Sequence, residues 1–479
     1  MRGIIGIMQR NMKEKQETDN AVQPHAEHFK KTKKPPKPPE KRLFHRPVTT
    51  RKVIVYALLL FLAVILAWTA HFVYVAVLHP ASAFGNPPAQ PTPGASPSPG
   101  QTMSPEEAFT IENGTGFMKD RVNILLVGID YTDERGDTGR TDFRTDTIML
   151  MCVDFATGRV DMLSVPRDSY ADIAWTDERW KINGAYMTAG GKDGRGFECL
   201  MQTVSTTLGG IPVNYYVAVE MEGLKDIVDA LGGVWYDVDY EIELDDVHLY
   251  PGYQLLDGEQ ALQYCRARKN ITSGTDIDRI DRQQRFLLDV FSQLKEQAKL
   301  TDIPKLYEAV SDEVYTNLNL EQIAALSVFM TKLDADTDIG RNALTGEYLD
   351  IFNATYYVLD HTYTVQAVHE IFGDNVKLSI DWTYSLDYLQ GDKDTVALVD
   401  AMIALRDYVN TDATLLQALA DYPVWTELNE LLDQADEQID EAQALLEARE
   451  TDEMKQTAKA LRDTLKSLKA LVKAGMDAE

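Results

Sequence analysis

Cysteine and histidine are scarce in this 479-residue chain, which has three of the first and eight of the second. The cysteines at 152, 199 and 265 form no CxxC pair, so a zinc ribbon, an iron–sulfur site and a disulfide-stapled mini-domain are not expected. Only His248, His361 and His369 lie beyond position 79, which leaves little for histidine-rich metal chemistry. Cys152 and Cys265 have no histidine nearby in sequence that would lower a thiol pKa, so we expect small buried residues rather than nucleophiles.

Basic residues are outnumbered, with 47 Lys and Arg against 75 Asp and Glu and a formal net charge of −28. A nucleic-acid partner is therefore not expected, because binding it requires a basic face that displaces counterions from phosphates. The charge is also polarised along the chain. Residues 1–52 carry a net charge of +9 and residues 79–479 carry −37, while residues 53–78 carry no charged side chain.

The uncharged segment 53–78 is 26 residues long. A helix crosses a bilayer with about 20 apolar residues, so this segment predicts a transmembrane helix. Its basic N-terminal flank places residues 1–52 in the cytoplasm and everything after Leu78 outside the cell. Ala81-Ser82-Ala83 resembles a signal-peptidase site, but the apolar run is longer than a signal-peptide core and follows a long leader, which favours an uncleaved anchor.

Composition divides the rest of the chain. Residues 1–52 are rich in Lys and Pro and predict a disordered basic cytoplasmic tail. Residues 79–118 hold eight of the 19 prolines and predict an extended extracellular linker. Residues 119–390 predict one folded domain. Within 391–479, residues 412–475 have helical periodicity and predict a helical hairpin, with a partner-docking arm as the alternative.

Short apolar runs alternate with helical patterns between residues 119 and 390. This alternation predicts an α/β domain, a central mixed sheet covered by helices on both faces in an α-β-α arrangement. The predicted strands are 122–129, 147–154, 159–165, 213–220, 234–238 and 356–359. The predicted helices are 196–208, 221–231, 257–266, 277–299 and 364–372, and the last strand and helix are expected to finish the sheet and its cover.

Arginine is unusually frequent in residues 121–285, with 13 Arg against 4 Lys. The guanidinium fork matches phosphate oxygens in pairs, so the excess indicates an anion pocket, with surface salt bridges as the alternative. Several of these arginines lie at predicted strand ends or around one loop between helices: Arg144, Arg167, Arg266, Arg268, Arg279 and Arg282. Asp130, Asp142 and Asp146 lie among them, where carboxylates suit Mg²⁺ beside phosphates or general-base chemistry.

Seven segments of the sequence together resemble the LytR–CpsA–Psr family of bacterial cell-envelope proteins, in the family's order. They are NILLVGID at 123–130, FRTDTIML at 143–150, LSVPRDSY at 163–170, KINGAY at 181–186, LGGV at 231–234, LDGEQALQYCRAR at 256–268 and DRIDRQQRFL at 278–287. Several of these segments alone would be weak evidence for the family. Their combination, after one predicted transmembrane helix, is specific for it.

The resemblance implies a membrane-anchored extracellular phosphotransferase. Such proteins move a glycopolymer from a polyprenyl-diphosphate lipid to peptidoglycan through a phosphodiester link, with Mg²⁺ or Mn²⁺. Carried over by motif, Asp130 and Asp146 would be metal-side carboxylates, and Asp130, Arg144, Asp146 and Arg167 would be catalytic. The implied diphosphate-binding residues are Arg144, Arg167, Lys181, Arg266, Arg268, Arg279 and Gln283.

The sequence also allows alternatives to these residue roles and to this function. The repeat GRTDFRTD lets Asp142 compete with Asp146, although Asp146 abuts the predicted strand directly. A non-catalytic scaffold that binds a lipid-linked glycan, or a polyprenyl-diphosphate hydrolase, would use the same pocket. Gly184 stands where the family often has a larger residue, which points to an altered acceptor side.

Overall fold

The computed structural model describes residues 67, 71, 73–84, 109, 113, 116–130, 143–244, 247–267, 276–296, 312–411 and 424–477. The predicted cytoplasmic tail 1–52, most of segment 53–78 and most of linker 79–118 lie outside these residues, as do Asp142 and Arg268. Within the described ranges, no helix is both long enough and apolar enough to cross a membrane.

Strands and helices alternate along the described chain. The strands are β1 Arg121–Ile129, β2 Thr145–Asp154, β3 Arg159–Ser164, β4 Tyr170–Asp172, β5 Arg179–Lys181, β6 Tyr215–Glu220, β7 Val234–Val238, β8 Ile242–Leu244, β9 Val247–Leu249, β10 Gly252–Leu256, β11 Val314–Thr316, β12 Ile339–Ala343, β13 Gly346–Ile351 and β14 Ala354–Leu359. The helices are α1 Ala185–Thr188, α2 Gly196–Thr207, α3 Met221–Leu231, α4 Gly258–Arg266, α5 Asp276–Glu296, α6 Leu320–Met330, α7 His361–Phe372, α8 Leu386–Leu389, α9 Lys393–Thr411, α10 Trp425–Ala448 and α11 Thr451–Asp477.

A six-stranded sheet in the order β11–β6–β1–β2–β3–β12 forms the centre of the fold. β1 pairs parallel with β6 and antiparallel with β2. β3 pairs antiparallel with β2 and parallel with β12, and β11 closes the other edge antiparallel to β6. The sheet is therefore mixed, as the sequence predicted.

Helices cover both faces of this sheet, because successive residues of a strand point to opposite sides. On one face, Ile124 of β1 belongs to a buried cluster with Phe291 of α5 and Phe329 of α6. On the other face, Leu125 belongs to a cluster with Leu200 of α2 and Val368 of α7. The predicted α/β arrangement is confirmed.

Two predicted strands form outside the central sheet. β7 pairs with β10, and β14 pairs with β13, each in a separate two-stranded sheet. The expectation that segment 356–359 finishes the central sheet is wrong, since β11 and β12 form its edges. β12 reads IGRNA and has no apolar run, because an edge strand with half-buried side chains needs none.

The C-terminal helices pack on the α/β part of the chain. Leu428 of α10 and Leu461 of α11 are fully buried in the same cluster that contains Leu125 of β1. α10 ends at Arg449, whose φ of 55° turns the chain back into α11. The domain boundary at residue 390 stays a prediction, but the hydrophobic core is continuous across it.

Candidate active site

Two of the predicted acidic residues, Asp130 and Asp146, lie at the same end of the two neighbouring strands in the middle of the central sheet. Asp130 directly follows β1, and Asp146 is the second residue of β2, which pairs with β1. The backbone N–H of Asp130 donates to the carbonyl oxygen of Arg144 over 3.0 Å. The β1–β2 pairing therefore brings Asp130, Arg144 and Asp146 together, as the motif order predicted.

A chain of charged groups runs from Asp146 to Lys181. Arg167 follows β3 and donates from Nη1 to a carboxylate oxygen of Asp146. Its Nε lies 4.0 Å from Oδ2 of Asp168, and Oδ1 of Asp168 lies 3.0 Å from Nζ of Lys181. Lys181 is held in place by β5, in which it pairs with Tyr170 of β4. A role for Asp168 was not predicted from the sequence, although this residue stands in the PRD motif beside Arg167.

Arg144 lies at the margin of this chain of charges, with its guanidinium carbon 5.6 Å from the ring centroid of Trp180. Gly184 makes room for this indole, because a Cβ at position 184 would lie 2.0 Å from Nε1 of Trp180. A larger residue at 184 would therefore displace Trp180. Neither the indole nor this reason for Gly184 was visible in the sequence pattern.

Helices α4 and α5 supply the second group of basic and polar residues. Arg266 is exposed at the end of α4, and α4 begins with a capping box between Asp257 and Gln260. Arg279 and Gln283 lie one turn apart on α5 and so share one face, and Arg279 is 3% exposed. Arg268 follows α4 and lies outside the described residues.

These elements enclose a cavity of ≈ 580 Å³. Asp146, Arg167, Arg266, Arg279 and Gln283 line it, whereas Asp130, Arg144 and Lys181 do not line its wall. The rest of the lining is mostly apolar and comes from β1, β2, β6, α3, α4 and α5: Leu126, Val127, Ile129, Met149, Val217, Val219, Met221, Leu224, Ile227, Val228, Leu262, Phe286, Leu287 and Val290.

A second cavity of ≈ 350 Å³ lies between the sheet and helices α5 and α6. Its lining is almost entirely apolar and includes Met151, Phe291 and Met330. Leu126, Val217, Leu287 and Val290 line both cavities, so the two spaces adjoin each other. Together they place a charged region at one end of an extended apolar space.

Glu220 also lines the first cavity and was missed by the sequence analysis. It is 5% exposed and ends β6, where it pairs in parallel register with Ile129 of β1. Nζ of Lys192 donates to Glu220 Oε1 over 3.0 Å, and the hydroxyl of Tyr315 donates to the same oxygen over 2.8 Å. These two donors hold the carboxylate against the edge strand β11.

The arginine excess has two structural explanations. Arg167, Arg266 and Arg279 line the first cavity. Other arginines form ion pairs elsewhere: Arg121 with Asp154, Arg159 with Asp161, Arg179 with Asp172 and Asp381, Arg195 with Glu198, and Arg285 with Asp239. The salt-bridge alternative therefore applies to these five arginines, while the anion pocket formed by the other three stays a prediction.

The two carboxylates of Asp130 and Asp146 would suit a metal ion whose remaining ligands are phosphate oxygens of a substrate. In the part of the chain that the structure describes, no group of three His, Cys, Asp or Glu side chains is placed to hold a metal. Asp130 and Asp146 nevertheless lie at adjacent strand ends, and Mg²⁺ is commonly bound by one or two carboxylates plus substrate phosphates. The carboxylate of Asp146 is already ion-paired with Arg167. A metal ion at Asp146 would either replace this ion pair or bind beside it.

The three cysteines are buried and reduced, which agrees with the sequence expectation. Cys265 lines the first cavity, and burial raises its pKa to about 12, outweighing the lowering effect of Arg282. Burial likewise raises the pKa of Cys152 above its usual range. A thiol nucleophile is therefore not the source of chemistry in this site.

Two curated relatives are similar to part of the chain. A Bacillus subtilis protein named polyisoprenyl-teichoic acid–peptidoglycan teichoic acid transferase TagU is 32% identical over 205 residues, which is 43% of this chain and 62% of the relative. A Bacillus cereus protein of the same name is 36% identical over 202 residues, 42% of this chain and 62% of the relative. The chain thus spans less than two thirds of the length of these relatives.

The crystal structure of Bacillus subtilis TagV is also similar, with 29% identity and a TM-score of 0.45 over 54% of this chain and 97% of that one. A family model described as the LytR_cpsA_psr family matches residues 96–371, which is more than half of the 479 residues. The chain therefore belongs to the LytR–CpsA–Psr family.

Proposed function

We propose that this protein transfers a glycopolymer from a polyprenyl-diphosphate carrier to peptidoglycan, and that a phosphodiester links the glycopolymer to the peptidoglycan. The observation that carries the proposal is the charged end of the first cavity, where Asp146, Arg167, Arg266 and Arg279 border an apolar space. A lipid diphosphate has this same division into an anionic head and an apolar tail. The relatives' names point to teichoic acid as the glycopolymer.

The arginines would hold the diphosphate oxygens. Arg167 and Arg279 offer planar, permanently charged forks that match phosphate oxygens in pairs. Arg279 is almost fully buried, and a charge in such surroundings acts through a lower effective dielectric than water provides. Their contribution to the rate would be to stabilise negative charge as it shifts between the phosphates.

The transfer requires an acceptor hydroxyl. Its oxygen would form a bond to the phosphorus that carries the glycopolymer, and the bond from that phosphorus to the bridging oxygen would break. The lipid monophosphate would leave with the bonding electron pair, and Asp130 would take the hydroxyl proton. The product keeps one phosphate between glycopolymer and acceptor.

Asp130 and Asp146 would hold Mg²⁺ or Mn²⁺ together with diphosphate oxygens. The ion would neutralise charge on the diphosphate. The apolar linings of the two cavities would receive the first isoprene units of the tail, whose burial is favourable in proportion to the area removed from water.

We further propose that segment 53–78 anchors the protein in the cell membrane by a single pass. The basic residues 1–52 would lie in the cytoplasm and the domain that follows the linker would lie outside. This topology places the cavity on the side of the membrane where peptidoglycan is found.

The proposal is tested with the full-length chain in detergent. The chain is mixed with a synthetic lipid-diphosphate-linked sugar, peptidoglycan oligomers and Mg²⁺, and the products are followed by mass spectrometry. Arg279→Ala is compared with Arg285→Ala, a matched change on the same helix at a residue that pairs with Asp239 and Asp281. We expect a glycan–phosphate–peptidoglycan adduct that requires the metal and Arg279 but not Arg285.

Other outcomes would contradict the proposal. Cleavage of the lipid without an adduct, in the presence of competent peptidoglycan oligomers, would assign a polyprenyl-diphosphate hydrolase. Tight binding of the lipid without turnover across several donor sugars would assign a non-catalytic scaffold. An adduct that persists in excess EDTA would remove the metal from the proposal.

A further inference from the structure

The exposed loop between β4 and β5 contains a tryptophan in an unusual backbone conformation. Trp175 has a φ of 65° and remains 50% exposed. The left-handed region is uncommon for residues with a Cβ, and a bulky side chain there is a genuine outlier. Such outliers concentrate at ligand-binding and active sites, where the surrounding structure maintains them.

Two neighbours fix the orientation of the Trp175 indole. Nε1 donates to Oε1 of Gln202 over 2.8 Å. The guanidinium carbon of Arg195 lies 4.2 Å from the ring centroid, which is close enough for a cation–π contact. Arg195 and Gln202 come from the start and the middle of α2, so helix α2 supports the aromatic side chain from two positions.

The β4–β5 hairpin connects this aromatic group to the candidate active site. Lys181, which contacts Asp168, lies on β5, and the Trp175 loop lies at the other end of the same hairpin. Strands advance about 3.3 Å per residue, so Trp175 lies roughly 10 to 15 Å along the hairpin from Lys181. A pyranose chain of a few residues bridges a distance of this order.

The chemistry of the group favours a sugar that carries a carboxylate. An exposed indole offers an apolar ring face on which the C–H face of a pyranose stacks. Arg195 is 68% exposed at its side chain and is a cation in a region, residues 79–479, that carries a net charge of −37. Its only ion pair among the described residues is with the exposed Glu198, which a ligand carboxylate can displace.

We infer that Trp175 and Arg195 form a binding subsite for the peptidoglycan acceptor. A pyranose ring of the glycan strand stacks on the indole, and a carboxylate of a stem peptide pairs with Arg195. The identity of the acceptor rests on the proposed function, whereas binding at this subsite requires neither the lipid donor nor the metal. The strain at residue 175 orients the indole before the glycan binds.

The test measures binding of one defined probe to the full-length chain in detergent. The probe is a soluble peptidoglycan tetrasaccharide with free stem-peptide carboxylates, used without lipid donor or added metal. Trp175→Gly removes the indole, and glycine adopts a positive φ without strain, so the fold is expected to keep its Tm. The matched control is Trp235→Ala, since Trp235 is similarly exposed, at 46%, on the separate sheet of β7 and β10.

We expect Trp175→Gly to weaken binding of the probe by about tenfold or more, the order of one lost stacking contact. Trp235→Ala is expected to bind like the unchanged chain. Arg195→Gln is expected to weaken binding of the probe with free carboxylates more than binding of the same probe with amidated carboxylates, because the amidated probe loses only the support that Arg195 gives the indole.

Equal binding by Trp175→Gly and the unchanged chain would overturn the inference. Loss of binding in Trp235→Ala but not in Trp175→Gly would also overturn it, and would move the acceptor to the β7–β10 surface. The proposed function fails separately, through absence of the adduct with a chain that still binds this probe through Trp175.

Discussion

Arg282 donates a hydrogen bond from Nη2 to the carbonyl oxygen of Ala267, the residue that separates Arg266 from Arg268. The next residue, Gln283, donates from Nε2 to the carbonyl oxygen of Cys265 over 3.3 Å. Two adjacent side chains of α5 therefore hold the end of α4. Because Arg282 is only 1% exposed and does not line the cavity, it acts as a positioning residue for Arg266 rather than as a ligand of phosphate.

Replacing Arg282 by Met should raise the KM for the lipid-diphosphate donor by about tenfold with a smaller change in kcat, because Arg266 loses its support without loss of its own charge. The free energy of unfolding should fall by about 1–3 kcal/mol, since the Ala267 carbonyl loses its partner. Steady-state kinetics and denaturant unfolding measure the two effects. Arg282→Lys should restore part of the KM, because an ammonium still donates to this carbonyl.

Arg285→Met is the control for this change, since Arg285 is on the same helix and pairs with Asp239 and Asp281. It should leave the donor KM near that of the unchanged chain. An equal rise in KM for both variants would show that α5 tolerates no loss of a cation, and would refute the positioning role.

Asp146→Asn should lower the transfer rate by about a hundredfold or more, in the range found when one charge-stabilising group of an active site is removed. The carboxamide retains the size of the carboxylate but removes the negative charge beside Arg167, and with it the oxygen that we propose as a metal ligand. Single-turnover transfer, measured at saturating donor, reports the effect. Raising the Mg²⁺ concentration should recover part of the rate if the metal is the group that was lost.

Asp161→Asn is the matched control, because Asp161 is likewise a strand carboxylate paired with an arginine. Arg159 donates to it from Nε over 2.9 Å and from Nη2 over 2.8 Å, on β3 and outside both cavity linings. A comparable loss of transfer in both variants would attribute the Asp146 effect to folding rather than to chemistry.

The central part of the fold was predictable because its strands are buried on both faces. The segment 122–129 is apolar apart from Asn123 and lies within β1, and helix α3 matches its predicted bounds because Gly232 ends it in the left-handed conformation. The edge strands β11 and β12 were missed. Their side chains are mostly half-buried, and their pairing partners are more than 90 residues away in sequence. The local pattern of apolar and polar residues therefore hardly indicates a strand.

Part of the site was predictable in the same way. Asp146, Arg167, Arg266, Arg279 and Gln283 were placed together by motif, and the structure brings them to one cavity. Glu220, Asp168 and Trp180 were not singled out, because their role depends on which side chain faces them across the fold. The apolar lining could not be separated from ordinary core packing by sequence alone.

Met151→Trp should reduce the use of donors according to the length of their lipid tail. Met151 lines the ≈ 350 Å³ apolar cavity, and an indole there would occupy part of the space that we assign to the tail. The KM for a donor with a full polyprenyl tail should rise about tenfold, which corresponds to about 1.4 kcal/mol of lost binding. The KM for a donor with a tail of one or two isoprene units should stay unchanged, because so short a tail would end in the first cavity, which Met151 does not line.

Both donors are compared on the same variant, so a general loss of folding affects them equally and cannot mimic the effect. An unchanged KM for the long-tailed donor would exclude this cavity from tail binding. The melting temperature of Met151→Trp, measured with and without each donor, provides a second comparison, since bound donor stabilises the folded chain.

His361 should make the stability of the fold depend on pH. Burial lowers its pKa to about 4, outweighing the carbonyl oxygen of Leu359 and the carboxylates of Asp360 and Asp381, which raise it. The unfolded chain therefore binds more protons between about pH 4 and pH 6.5. Stability is retained above this window and is lost as the pH falls through it.

The free energy of unfolding should decrease by about 2 kcal/mol more between pH 7 and pH 5 in the unchanged chain than in His361→Gln, which has no titrating side chain at this position. Urea unfolding at the two pH values measures the difference, and all other titrating groups are common to both proteins. Parallel pH dependence in the two chains would mean that His361 becomes protonated as readily in the fold as in water.

The alternation along β1 and β2 separates two kinds of constraint on adjacent residues. Leu126 and Met151 line the apolar cavity, whereas Leu125 and Leu150 are fully buried among the helices of the opposite face. A change of volume at 126 or 151 alters the space for a ligand, while the same change at 125 or 150 must be absorbed by a close-packed core. The range of lipid tails that we propose for the ≈ 350 Å³ cavity can therefore change, in evolution or by engineering, through Leu126 and Met151, without changes to the core packing that keeps the sheet folded.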